Sequence, residues 1–549
     1  MDFNIALQKV GDFGLYQKLL CAFLVVPSAS LCALVYFTQF FTILVPDHRC
    51  KLDENDSSFS NSSFSSNFTL PFEEREGRIL PKMCEMILTS NFSEVSIDDN
   101  LVIEINKTVH CLNGWVYDFS ELYPTIATDQ NWVCDKNKLP YQSQTIFYVG
   151  TSIGCIVFGL IADRFGRRPS IILSYVIASI AGIASAFTSN FYTFNFLRFF
   201  VGATIIPLSE DPYVLSLEYI GVKKRTLVII IWSMGYIIFS AICPWIAYSL
   251  RDWRLLCVIT SVPLAAIPIF GKFVPESASW LLTRGRQKEA IALLKTVARV
   301  NGNDYPEEYG DSCEKSSEEN TDATALDLFK TLRLRTNSLV LALTWFVVYC
   351  CYHTNTQNAS NLGTNVYDSF TYSSLVEIPS LFIILFGVDW LGRRWPIVLS
   401  SLVAGIAGLV ILIIPKDATN TYLGLALIQR VTITIVYNVI MQYSAELLPT
   451  VLRGRGLAFL RVMGTLGLYL SPSIVYLSMT MPGLPLVITG VLMIFISTIT
   501  VILPETLHKH LPHSIEDGEN FGRNQSILDC PCLNKRSVNE EVESPYKLS

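Results

Sequence analysis

Charge is what this sequence is short of. Only 16% of its residues are Asp, Glu, Lys or Arg, against 51% hydrophobic, and its mean hydropathy is positive. So little charge rules out an ordinary water-exposed surface and with it a nucleic-acid-binding face. Histidine is scarce too, with six in the whole chain. None sits at metal-ligand spacing with cysteine inside an apolar run, and His508, His510 and His513 fall in a polar tail where solvation accounts for them. The sequence has no Gly-x-x-x-x-Gly-Lys phosphate loop and no nucleophile motif. An enzyme and a nucleotide-driven pump are both excluded on these grounds, no metal or cofactor is expected, and any driving force must be a gradient.

What the chain does have is long stretches without charge. Leu19 to Pro46 and Gly483 to Pro504 contain none, and each exceeds the roughly 20 residues a helix needs to cross hydrocarbon. Comparable runs predict twelve transmembrane helices near 19–45, 142–162, 170–188, 192–217, 226–249, 255–273, 338–358, 370–388, 396–415, 420–442, 456–479 and 482–503. The expected class is an all-α membrane protein. Met1 to Lys18 is polar and the run after it is long, so a cleaved leader is not expected. Lys and Arg crowd the loops at 163–169, 223–225, 272–335, 393–394 and 453–455, which places both termini in the cytosol of a multi-pass plasma-membrane protein. Arg251 and Arg254, on an outer loop, run against that bias.

The expected organisation is a cytosolic N-terminus (1–18), a six-helix bundle (19–273), a cytosolic linker (274–337), a second six-helix bundle (338–503) and a cytosolic tail (504–549) whose polar composition reads as disordered. Within the first bundle, 46–141 forms one large extracellular loop. It carries glycosylation sequons at Asn55, Asn61, Asn67, Asn91 and Asn106, usable only in the secretory lumen. It also holds Cys50, Cys84, Cys111 and Cys134, enough for two disulfides, with three pairings open. The remaining cysteines mostly lie within spans and read as small apolar packing residues. In the linker, Leu281–Val300 has the pattern of one amphipathic helix.

Three motifs occur twice, in the same order. Asp163-Arg-Phe-Gly-Arg-Arg-Pro169 returns as Asp389-Trp-Leu-Gly-Arg-Arg-Trp-Pro396, Glu218 with Arg225 returns as Glu446 with Arg453, and Pro275-Glu276-Ser277 returns as Pro504-Glu505-Thr506, at offsets of 226, 228 and 229 residues. The chain is therefore two copies of one unit. In the repeated loops the glycine allows a tight reversal, and Arg164, Arg167 and Arg168, like Arg393 and Arg394, can pair with acids or helix-end carbonyls. Asp163 and Glu218 with Arg225, and Asp389 and Glu446 with Arg453, are the expected partners. Such latches, made in one state and broken in another, are a device for gating.

The duplicated loop is similar to the signature of the major facilitator superfamily. Gly11-Asp-Phe-Gly-Leu-Tyr-Gln17, Asn131-Trp-Val-Cys134, Pro275-Glu-Ser-Ala-Ser-Trp-Leu-Leu-Thr-Arg-Gly285, Val376-Glu-Ile-Pro379 and Tyr443-Ser-Ala-Glu-Leu-Leu-Pro-Thr450 narrow the resemblance to solute carrier family 22, the organic ion transporters. That resemblance implies two six-helix bundles around a central cavity, and a cargo of organic cations, zwitterions such as carnitine, or organic anions. It implies transport of small organic ions by alternating access, with a coupling proton or sodium ion left open, as is a non-transporting sensor of the same fold.

Ionisable residues inside spans are costly and mark cavities or partners. Glu210 lies about 12 Å from Glu218 along one helix, and Glu210 and Asp211 point about 100° apart, so at most one faces a cavity squarely; they favour a cationic or zwitterionic substrate. A tie to Arg198 or Arg430 is their structural alternative. Glu377 and Arg430 match positions where the family carries charge. At Thr465, where the resemblance puts an acid in many cation carriers and an arginine in many anion or carnitine carriers, this chain has neither. Arg461, one turn earlier, either meets an anionic group or snorkels to the cytosolic interface, the second being preferred. Aromatic rings that can face an organic cation are Tyr36, Phe37, Phe40, Trp232, Tyr236, Trp345, Tyr349, Tyr352 and Tyr437; Trp345, Tyr349 and Tyr352 share one helical face.

Overall fold

In a computed structural model the described residues are Gly11, 13–53, 56, 59, 68–75, 78–88, 92–93, 104–105, 108–221, 224–303, 325–362, 365–415, 418–507, 509, 511–523 and 525. The asparagines of all five sequons, His508, His510, the stretch 304–324 and the tail beyond 525 lie outside them.

Among the described residues, twelve helices form the membrane body. The first six are α1 (Leu15–Thr42), α2 (Leu139–Phe165), α3 (Arg167–Ser185), α4 (Phe191–Glu218), α5 (Arg225–Leu250) and α6 (Trp253–Ile269). The second six are α7 (Leu332–Gln357), α8 (Val366–Leu375 continued by Glu377–Leu391), α9 (Arg394–Val410), α10 (Thr419–Leu447), α11 (Arg453–Met479) and α12 (Leu484–Thr500). Each coincides with one of the apolar runs. Ten are long and apolar enough to cross a membrane on their own count; α6 and α12 are the shorter two.

Small residues set how closely the helices approach. A Cβ added at Gly150, Gly154 or Gly202 would fall 2.2, 1.9 or 2.1 Å from a carbonyl oxygen of the facing helix, so α2 and α4 pack backbone to backbone. Hydrophobic burial gives no preference for protein over lipid, and close packing of this kind is what joins helices in a bilayer. Helix ends are capped from the sequence: the Asn190 side chain accepts from Thr193 N at 2.9 Å, and Asp252 from Arg254 N at 2.7 Å. The anomalous Arg254 has a local partner, Asp129, at 2.7 Å.

The loop between α1 and α2 folds into short antiparallel pairs, His48–Cys50 with Trp115–Tyr117 and Glu85–Leu88 with Thr108–His110 among them. Disulfides join Cys50 to Cys111 and Cys84 to Cys134. The seven free cysteines described are buried, Cys155 only partly.

Two expectations for the polar segments change. The linker forms two helices rather than one, Ala278–Thr283 and Gln287–Asn301, because Gly285 between them takes a left-handed conformation (φ 72°). The second is tied to the start of α1, with Asn301 Oδ1 accepting from Tyr16 N at 2.9 Å. The tail, expected to be disordered, has folded structure among its described residues. A short helix, Ile515–Asn520, carries a capping box in which the Ser514 backbone N–H and hydroxyl hold the Asp517 carboxyl below the usual carboxylate range. Glu519 then accepts from Arg333 N at 2.9 Å and Leu334 N at 3.2 Å, satisfying orphan donors at the start of α7.

Candidate substrate site and gating corners

The repeated motifs build the same corner twice. Gly166 and Gly392 take φ of 106° and 87°, open to glycine without strain. An added Cβ at either would lie 2.4 Å from a carboxylate oxygen, of Glu276 or of Glu505. Those carboxylates cap the next helix: Glu276 accepts from Arg167 N (2.8 Å) and Arg168 N (3.3 Å), and Glu505 from Arg393 N (2.9 Å) and Arg394 N (3.1 Å). A negative charge at a helix N-terminus meets both unsatisfied N–H groups and the positive end of the dipole. The third repeated motif is thus the cap for the first. Tyr219 donates to the Glu276 carbonyl, and Tyr443 to that of Pro504 at 2.5 Å.

The side chains of the corner divide. Arg167 reaches Asp163 at 2.9 Å and lies 3.9 Å from Glu218; Arg393 meets Glu446 at 3.1 Å. The other expected partners go elsewhere. Arg225 Nε donates to the Ile220 carbonyl at 3.4 Å, and Arg453 to the Thr450 hydroxyl at 3.3 Å. Both sit in the first turn of a helix, where carbonyl and hydroxyl groups of the preceding bend are nearer than the acid. Arg394 donates to the Leu503 carbonyl at 3.3 Å. Arg164 is exposed, above the Phe165 ring. The Asp389 side chain lies outside the described residues. These bonds join each corner to its own half and to the segment that directly follows that half.

The two halves meet around an aromatic cluster. Tyr36 of α1 shares a hydrogen bond with His353 Nδ1 of α7 (2.5 Å) and another with Tyr148 of α2 (3.3 Å). On the second half, Tyr437 packs against Tyr352 (ring centroids 4.5 Å) and Tyr349 (4.9 Å), and Tyr349 stacks on Trp345. Trp232 stacks on Tyr236, which touches Phe37 at 6.5 Å and so adjoins the cluster from the first half. His353 had gone unremarked in the sequence. The available signal was a lone histidine inside an apolar span, hidden because it falls one residue off the Trp345–Tyr349–Tyr352 stripe.

Glu377 and Arg430 form a buried ion pair. Tyr352 donates to Glu377 at 3.0 Å, and Arg430 also bonds the Tyr352 carbonyl (2.8 Å) and Thr356 (2.5 Å) while its guanidinium covers the Tyr352 ring at 4.1 Å. The pair fastens α7, α8 and α10 to one another and shapes one wall of the cluster.

The acids of α4 separate, as their angular spacing requires. Asp211 accepts from Ser170 of α3 at 2.5 Å, inside the first half. Glu210 crosses the interface to Arg461 of α11. Neither meets Arg198, whose guanidinium lies between the rings of Phe147 and Phe194, 5.6 Å from each. Arg461 does not snorkel: a carboxylate within reach and inside the protein outweighs the interface. Thr465 is buried, and its carbonyl accepts from Ser152 of α2 at 3.3 Å.

From the Glu210–Arg461 pair towards the disulfide-bonded end the halves are sealed. Gln144 meets Gln357, Phe40 stacks on Phe370 (5.7 Å), Phe41 on Tyr367 (6.0 Å), and Tyr141 abuts Tyr476 (5.2 Å). Glu210 and Arg461 themselves keep 24% and 31% side-chain exposure.

Two bundles of six helices, a doubled interhelical corner and a shared central cluster are the architecture of a membrane carrier. Residues 143–472 match the Major Facilitator Superfamily. The chain is 32% identical to the beta-alanine transporter of Drosophila melanogaster, over 100% of this chain and 94% of that one. It is 30% identical to solute carrier family 22 member 1 of Oryctolagus cuniculus, over 94% and 95%. Among solved structures, the proton:xylose symporter XylE bound to 6-bromo-6-deoxy-D-glucose has the same fold, with a TM-score of 0.53 at 18% identity, over 72% of this chain and 92% of that one. The chain belongs to the major facilitator superfamily and, within it, to solute carrier family 22.

Proposed function

We propose that this protein moves small amine-bearing organic ions, cations or zwitterions, across the plasma membrane by alternating access. The observation that carries the reading is the central cluster, assembled from Tyr36, Tyr148 and Tyr236 of one half and Tyr349, Tyr352, His353 and Tyr437 of the other. Ring faces attract an organic cation and pack its apolar parts, and a site split between two halves is reshaped whenever they rock. Glu210 at its edge supplies the negative charge an amine needs. Asp211, satisfied by Ser170, supports the helix. The named cargo of the beta-alanine transporter, a small amino acid, agrees with this class.

In this reading 46–141 is extracellular, the termini and the linker 274–337 are cytosolic, and the seal lies on the outer side, so the site faces the cytosol. The corners around Arg167–Glu218 and Arg393–Glu446 gate the inner side. The test is uptake into expressing cells of a labelled cation, zwitterion and anion, at two external pH values and with sodium present or replaced. Saturable uptake of an amine-bearing ion supports the proposal, and its pH or sodium dependence identifies a coupling ion. Uptake confined to the anion, or binding without flux, overturns it in favour of an anion carrier or a sensor.

A further inference from the structure

The Glu210–Arg461 contact joins the two halves by opposite charges at the edge of the substrate cluster. Arg461 lies one helical turn from Gly464, whose missing side chain lets the Tyr349 ring approach; a Cβ there would be 3.1 Å from that ring. Tyr349 in turn packs on Tyr437 at 4.9 Å. The pair is therefore continuous with the aromatic wall, and it is partly exposed, unlike the Glu377–Arg430 pair at 9% and 3%. One pair is built into the second half; the other spans the interface and must part when the halves separate there.

We infer that Glu210 and Arg461 form a two-charge subsite that selects zwitterions, with Glu210 taking the ammonium group and Arg461 the carboxylate. This rests on the transport reading and narrows it. Carboxylate and guanidinium satisfy each other while the subsite is empty. A ligand entering between them has to answer both, because either charge left alone in a water-poor site is strongly penalised. A zwitterion answers both at once. A simple cation satisfies Glu210 and strands Arg461; a simple anion does the reverse. Among the described residues the neighbouring charges are engaged elsewhere: Glu377 holds Arg430, and the Asp211 carboxylate is turned to Ser170 of α3. Discrimination thus comes from what the wrong ligand leaves unpaired rather than from extra contacts to the right one.

Three probes of one size test it: 4-aminobutanoate (zwitterion), 4-aminobutanamide (cation) and butanoate (anion), each measured as initial uptake per surface transporter. Wild type is expected to favour the zwitterion over the amide by about tenfold or more, the scale of one lost charge-assisted hydrogen bond. Arg461→Gln should reverse that ratio, and Glu210→Gln should depress both amines. Because a single substitution leaves a partly buried charge unpaired, the double variant E210Q/R461Q and the charge exchange E210R/R461E accompany them. The double variant should reach the surface without zwitterion preference, and the exchange should recover part of it. If Arg461→Gln lowers zwitterion and amide uptake in equal proportion, or wild type carries the amide as well as the zwitterion, the pair is a latch and the subsite assignment fails while the carrier stands. If wild type moves none of the three, the transport reading fails first.

Discussion

Charges kept inside a bilayer report on their partners. Of the intramembrane charges, Glu377 and Arg430 answer one another most completely, with Tyr352 and Thr356 filling further hydrogen-bond positions. Removing one partner of such a pair costs about 3–5 kcal/mol, because the survivor is left buried and unpaired, whereas replacing both is far milder. Glu377→Gln and Arg430→Gln should each sharply reduce the amount of folded protein at the cell surface, and the double variant E377Q/R430Q should restore most of it; surface biotinylation beside total protein reads this directly. Arg198 shows a different solution, aromatic faces in place of an acid. Which solution applies to which charge was not legible from sequence. Helical periodicity gives a residue's angle on its own helix, but the Arg461 partner lies 251 residues away, on an element whose rotation only packing determines.

At the scale of elements, the motif Asp-x-x-Gly-Arg-Arg is a helix start whose cap arrives from the segment that directly follows its own bundle. Glu276 and Glu505 each make two bonds to N–H groups that a helix cannot satisfy by itself. Hydrogen bonds to a charged acceptor contribute about 1.5–3 kcal/mol each. Gly166→Ala and Gly392→Ala introduce a Cβ into the capping carboxylate as well as strain at positive φ, and each should lower the melting temperature of the purified protein, by similar amounts if the two corners are equivalent. A Gly392→Ala variant as stable as wild type would show that the second corner does not depend on its cap. Of the loop arginines, Arg167 is bonded and Arg164 exposed, so Arg167→Ala should reduce turnover per surface transporter more than Arg164→Ala does. The tail helix is a separate element: Glu519→Ala should loosen Ile515–Asn520 from the start of α7, seen as faster proteolysis of the tail in membranes. Composition suggested disorder there because polar residues bury little, but capping an existing helix needs hydrogen bonds rather than buried area.

For the whole molecule, the seal at the disulfide-bonded end and the confinement of both corners to their own halves describe one position of a two-position device. The halves should be trappable in it. With the free cysteines at other positions replaced, cysteines introduced as Tyr36→Cys and His353→Cys should cross-link under mild oxidation and arrest uptake, reversibly on reduction; cross-linking without effect on flux would mean the interface does not open there. The sequence by itself determined the membrane class, twelve spans, the internal duplication and the family, because each is written in local hydropathy or in short repeated motifs. Tertiary structure alone decided the disulfide pairing, the capping role of Glu276 and Glu505, the separate fates of Glu210 and Asp211, and the inward turn of Arg461. All of these depend on which surfaces of distant helices face each other, and that is settled by packing between elements that no single stretch of sequence contains.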